Sequence, residues 1–477
     1  MKKIFFVIIV LFGVMTSCTK NFEDFNTDKK RPVVVPAENL FANAQKALAD
    51  QEASTNVNLN NFKLWAQYWT ETTYTDEANY DIVTRPVPNS IFRIYYRDIL
   101  QDLKDARDVT VATEVIGEIA EAKKNNQRAL IDLVQVYTYA QMVDIFGNIP
   151  YTDALDINNI YPKYDDALAI YKDLLARIDA DLALMNDAYG SFGEADLYMG
   201  GDVAMWKKFA NSMKVRIGIT IADGDNATAK AAVESGYAGA FAPDEKCQLV
   251  YLDATNSNPI YQDVIQSGRS DFIAANTIID AMNALADPRL PSYFDEVDGV
   301  YIGGPYGESS PFSQYSHIDE VVSSPTFPSV LLDGTEVAFY LAEAAERGFS
   351  VGGNAESHYN AGITSSFNRW GVSADAAAYL TKPEVAYATA TGNWKQKIGT
   401  QAWLAYYVRG QVAWTTYRRL DYPIMNQPPN PLTDDGSIPT RFTYPINEQT
   451  LNAENFAAAV SAMGGNELTT KIFWDKN

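Results

Sequence analysis

At 477 residues, 47% of them apolar and with charges of both signs, the chain is long enough to bury a large core. Its 38 basic and 60 acidic residues leave a net charge of -22. That surface repels phosphate backbones and anionic lipid headgroups, which argues against nucleic acid as a partner and against a purely electrostatic hold on a membrane.

The chain opens with Lys2 and Lys3, then an apolar stretch from Ile4 to Met15 with one glycine. This fits the core of a secretory signal and falls short of the ~20 residues a spanning helix needs. Met15, Thr16 and Ser17 precede Cys18 as a loose lipobox, so residues 1–17 read as a lipoprotein signal, Cys18 as the lipidation site and residues 18–35 as a tether. Losing Lys2 and Lys3 with the signal takes the charge from -22 to about -24. Cys247, the other cysteine, reads as a small buried hydrophobe, and an acylated Cys18 leaves it no disulfide partner.

Helical spacing dominates the rest of the chain. Leu130, Leu133, Val134 and Tyr137 share one face of a helix ending at Phe146, where Gly147 and Pro150 stop it. Tyr171, Leu174, Leu175 and Ile178 repeat the spacing, and 202–222 is a third candidate. Residues 236–333 are rich in Gly, Pro, Ser and aromatics and read as a loop-rich insertion. Asp333 with Glu336 predicts a capping box opening a helix that closes at Gly348, with Ala338, Leu341, Ala342 and Ala345 as a stripe of mostly small residues. Tyr359, Ile363, Phe367 and Trp370 mark the next helix, Thr381 to Glu384 the start of another, and Trp394, Ile398, Ala402 and Ala405 one more. Residues 421–444 form a second irregular stretch. The expected fold is mostly α: a tetratricopeptide-like helical scaffold with long irregular loop insertions. It is one domain over 36–477, with helical blocks near 36–235 and 335–418 and insertions near 236–334 and 419–445.

In order along the chain stand Phe22-Glu-Asp-Phe-Asn-Thr-Asp28, Asp144-Ile-Phe-Gly-Asn-Ile-Pro-Tyr151, Asp287-Pro-Arg-Leu290 and Leu341-Ala-Glu-Ala-Ala-Glu-Arg-Gly348. Gln401-Ala-Trp403, Trp414, Arg418-Arg419, Pro423, Pro439-Thr-Arg-Phe-Thr-Tyr-Pro445 and Phe473-Trp-Asp475 complete the series. With these motifs the chain resembles the SusD/RagB family of nutrient-binding outer-membrane lipoproteins, in its SusD-like branch. The resemblance implies a lipid-anchored protein at the cell surface and a partner, a TonB-dependent β-barrel transporter of the SusC type. It implies mainly glycan ligands, with peptides for some members, and Glu23 with Asp24 then resembles the export tag of Bacteroidetes lipoproteins.

Tyr and Trp suit sugar binding, because a ring face stacks on C–H groups while the polar tip reaches hydroxyls. Two clusters stand out among 29 Tyr and 8 Trp: Trp65, Tyr68, Trp69, Tyr74 and Tyr80 with Asn79, and Tyr301, Tyr306, Phe312 and Tyr315. Trp65, Tyr68 and Trp69 sit at i, i+3, i+4 and read first as one buried helix face. The candidate ligand residues are Trp65, Tyr74, Asn79, Tyr80, Tyr301, Tyr306 and Tyr315, with Tyr74 and Tyr80 expected to converge with Tyr301 or Tyr306 on one pocket. The resemblance places ligand aromatics in these two regions without fixing single positions.

Catalytic signals are weak. His317 and His358 stand in no metal or triad context, and H-E-x-x-H, G-x-S-x-G, P-loop and G-x-G-x-x-G patterns are all missing. Asp223-Gly-Asp225 and Asp295-Glu-Val-Asp298-Gly299 begin like calcium loops but are incomplete, so solvated acidic turns are expected, Ca²⁺ is the alternative and no other cofactor is implied. The expected function is capture of an oligosaccharide for an outer-membrane transporter, without enzymatic activity. The alternatives are a peptide ligand or a structural, assembly-type lipoprotein.

Overall fold

A computed structural model describes residues 35–476. The signal peptide, Cys18 and the Phe22–Asp28 motif lie outside the described residues. From Ala37 onward the described chain packs as one unit around a single core cluster.

Helices build the body, and consecutive ones pack together. Glu118–Phe146 lies against Ala167–Leu184, then Val203–Thr220 and Asn226–Gly236 join in turn. Gly334–Glu346 pairs with Ala355–Arg369, and Trp394–Ala405 with Gly410–Leu420. The predicted stop at Gly147 holds, and the 202–222 helix proves to be capped by Asp202. Gly147 takes φ +82°, which a side chain would resist, and the Asp202 carboxylate accepts from the Met205 amide at 3.1 Å. At Gly362 a Cβ would come within 2.9 Å of the Phe339 ring, so this crossing needs a glycine.

Three sequence expectations need correcting. Asp333 caps its helix by accepting from the Glu336 amide at 2.9 Å, but the Glu336 carboxylate does not close the box. It turns inward to the guanidinium of Arg409 and to Tyr340 Oη at 2.9 Å. Thr381 to Glu384 opens no helix. Lys382 is tied through its ammonium to the carbonyls of Leu285 and Ala286, both at 2.8 Å, and the segment runs as turns. Trp65, Tyr68 and Trp69 are all buried but share no helix: Phe62–Trp65 is one turn, Gln67 takes φ +55°, and a strand begins at Trp69.

That strand is β1 (Trp69–Glu71). Five more come after it: β2 (Ile149–Pro150), β3 (Tyr164–Asp165), β4 (Lys246–Leu249), β5 (Phe272–Ala274) and β6 (Ser329–Asp333). They form antiparallel pairs β1 with β5, β2 with β3 and β4 with β6. In the first pair Trp69 faces Ala274 and Glu71 faces Phe272, which brings the residues after β1 beside those before β5. No described helix is long and apolar enough to cross a membrane.

Candidate functional site

Where β1 ends, the chain stays paired with the segment before β5. Thr72 donates its amide to Asp271 O at 2.9 Å and its hydroxyl to Ser270 O at 2.8 Å. Its own carbonyl accepts from the Ser310 amide at 2.9 Å and from Ser309 Oγ at 2.8 Å, which draws in the loop carrying Phe312. A third wall comes from the end of the Ala37–Ala53 helix. Buried Lys63 extends its ammonium to the carbonyls of Glu52, Ala53 and Ser54 at 3.1, 3.1 and 2.9 Å, so a cation caps that helix end. The Thr55 hydroxyl then reaches Asp263 at 2.6 Å.

These walls enclose a cleft of about 420 Å³, within the range of small-ligand sites. Tyr74 stands at its edge with 70% of its surface exposed, and Phe272 and Phe312 offer half-buried rings. Phe312 is held in place by His317, stacked on it with ring centres 3.7 Å apart. Asn56, Asn58, Thr72 and Thr73 supply neutral hydrogen-bonding groups, while Arg85, Arg269, Asp263 and Asp271 add charges of both signs. Glu71 lines the floor. Apolar faces edged by amides, hydroxyls and a few charges match the surface of a sugar or of a peptide backbone.

Of the seven residues singled out in the sequence, Tyr74 lines the cleft. Trp65 and Tyr80 are 0% exposed and stack edge-to-face at 6.1 Å, and Tyr306 is 3% exposed. Their burial results from packing: Trp65 also lies against Trp414 and Phe442, and the Tyr80 and Tyr306 hydroxyls face each other beneath the surface, where burial pushes both phenols up from their ordinary value. Such rings present no face to a ligand. Asn79 is a buried knot: its side-chain amide donates to Thr75 O and Gly307 O at 2.7 and 2.8 Å, and its side-chain oxygen accepts from the Asn430 amide at 2.9 Å. Tyr301 and Tyr315 are half-buried in the 301–315 loop and do not line the cleft. The expected pocket shared by Tyr74 and Tyr80 with Tyr301 or Tyr306 therefore does not form: Tyr80 and Tyr306 are buried in the core, and Tyr74 borders the cleft with Phe312 instead.

Sequence reasoning missed the 55–58 loop, Arg85, and the Asp263–Phe272 segment. Their signal was spread over short polar stretches that only the β1–β5 pairing brings together. In the first acidic turn, Asp225 caps the Asn226–Gly236 helix and pairs with Lys172 at 2.8 Å, and Asp223 meets Arg347 at 2.7 Å.

Residues 29–445 match the family model SusD-like_2, described as starch-binding and associating with the outer membrane. No curated sequence matches. Among solved structures, a chitin-binding protein is 24% identical with a TM-score of 0.80, covering 92% of this chain and 100% of its own. A chitin-binding SusD homologue from Flavobacterium johnsoniae is also 24% identical, with a TM-score of 0.78 over 92% of this chain and 99% of its own. A SusD homologue from Bacteroides uniformis reaches 25% identity and 0.77, again over 92% and 99%.

Proposed function

The chain belongs to the SusD-like_2 family, and from that premise we propose that it is a lipid-anchored protein of the cell surface that captures an oligosaccharide in the Tyr74 cleft. It passes the sugar to a TonB-dependent barrel of the SusC type and carries out no chemistry on it. The observation that carries this reading is Tyr74, a large ring 70% exposed on the edge of a cleft that also offers Phe272, Phe312 and neutral hydrogen-bonding groups. An exposed ring there costs apolar surface in water, which a stacked sugar ring recovers. Charge supports a neutral sugar over an acidic one, since a body at -22 repels polyanions. The Met15–Cys18 lipobox supports the anchor.

The family description makes malto-oligosaccharides one probe, and the chitin-binding neighbours make chito-oligosaccharides the other. Calorimetric titration of the mature protein with maltoheptaose, with chitohexaose and with an unstructured neutral peptide tests the reading. Saturable binding of either sugar is expected. Binding of the peptide alone would overturn the glycan assignment and favour a peptide carrier.

A further inference from the structure

Tyr74 is carried by a turn that folds back on itself. The Asn79 amide donates to Thr75 O at 3.0 Å, the Tyr80 amide to Glu77 O at 3.1 Å, and the Trp65 indole to the same Glu77 carbonyl at 3.1 Å. Inside the turn lie two buried carboxyls, those of Glu71 and Glu77, close enough that each acts on the charge of the other. Glu71 Oε2 also accepts the Ala78 amide at 3.0 Å, and Glu77 Oε1 meets Arg85 Nε at 2.5 Å. The other charged and titratable groups facing the pair are Asp76, from the same turn, and the Tyr306 hydroxyl, from the loop opposite. Arg85 and Glu71 reach the cleft that Tyr74 borders.

Two buried carboxylates side by side, with a guanidinium on only one of them, repel each other unless the other keeps a proton. We propose that Glu71 and Glu77 share one proton, and that this shared proton latches the turn and so makes Glu71 a positioning residue for the Tyr74 face of the cleft. Glu71, lacking a cation of its own and accepting only one amide, holds the proton and donates it to Glu77, whose negative charge Arg85 balances. Burial and then the neighbouring Glu77 push the Glu71 carboxyl well above the usual carboxylate range, in keeping with this assignment. When the proton leaves to solvent, the two like charges separate, the Glu71–Ala78 bond loses its geometry, and the turn releases Tyr74.

This inference rests on the cleft being the ligand site, but its core can be tested without ligand. Hydrogen exchange of the amides of residues 72–80 is tracked from about pH 5 to about pH 9, with rates corrected for intrinsic pH dependence. The same pH series is run by titrating whichever of maltoheptaose and chitohexaose binds. The expected result is that protection of the Ala78 amide and sugar affinity fall together with rising pH, the affinity by roughly tenfold as one stacking ring is lost. Glu71→Gln, which keeps the acceptor and a permanent donor toward Glu77, is expected to hold both flat. Wild-type protection that does not change with pH, or a Glu71→Gln protein that keeps the wild-type slope, would overturn the latch. If neither sugar binds at any pH while the Ala78 amide still responds and Glu71→Gln abolishes the response, the latch stands and the glycan reading fails.

Discussion

Two buried glutamates, Glu336 and Glu71, show how differently the helical body and the cleft use one side chain. Glu336 sits at the start of the Gly334–Glu346 helix among Arg409, Arg216 at 3.7 Å and Tyr340, next to an Asp333 that itself meets Arg409 at 3.2 Å and Arg369 at 3.1 Å. Cations from three other segments converge there, so the charge is neutralised where it is buried and the helices it joins are locked in register. Glu71 is buried beside another carboxyl, Glu77, and burial together with that neighbour pushes its own carboxyl well above the usual range, so in the proposed latch a proton is the neutralising group. An arrangement that serves stability recruits opposite charge from far along the chain. One that tolerates a like charge inside a turn leaves that turn poised, and this turn carries the exposed ring.

The contrast breaks first at Glu336. Glu336→Ala removes the carboxylate that Arg409 and Arg216 share in the interior, a loss of about 3–5 kcal/mol expected in urea unfolding, with sugar affinity of the folded protein unchanged. Affinity lost in step with stability would mean that the two regions are not separable. Next comes Tyr80→Ala, which empties a packed site against Trp65. It should cost about 3 kcal/mol of stability, seen as a lower urea midpoint. Tyr74→Ala is the reverse case: unfolding within about 0.5 kcal/mol of wild type, as for other exposed positions, and sugar affinity down roughly tenfold by calorimetry. If Tyr80→Ala is the variant that binds poorly at unchanged stability, the buried and exposed roles of these two rings are exchanged.

Smaller, and more diagnostic of Glu71, is the pH dependence of folding. Its carboxyl titrates near 4.5 when unfolded and well above that when folded, so between those values the folded state holds a proton that the unfolded state has lost. Stability therefore falls as pH rises from about 4.5 toward the folded value, and Glu71→Gln should reduce that slope in unfolding titrations.

The helical body was largely legible in the sequence because its signals are local. Periodic apolar residues, the cap at Asp333 and the stop at Gly147 each act within a turn or two. The order of the family-like motifs was legible too, and the structure shows what some of them do. Arg418 lies against the rings of Trp414 and Trp474, 3.4 and 4.8 Å from their centres, and donates to Asp144 O at 2.8 Å. Asp287 and Arg289 form a buried pair at 2.6 Å that Tyr379 completes. These residues tie the fold together rather than touch a ligand. The site was less legible for the same reason in reverse. Tyr74, Tyr80 and Tyr306 all sit in polar, turn-like sequence, and what separates the exposed ring from the buried ones is the β1–β5 pairing and the Asn79 knot, both made with residues more than 190 positions away.

If ligand binds where β1 and β5 meet, hydrogen exchange of the mature protein, with and without saturating oligosaccharide, should map it there. The expected result is protection confined to residues 55–58, 71–85, 263–272 and 309–317, with the Gly334–Glu346 and Ala355–Arg369 helices unchanged. Protection on those helices, with the four cleft segments exchanging as before, would contradict it.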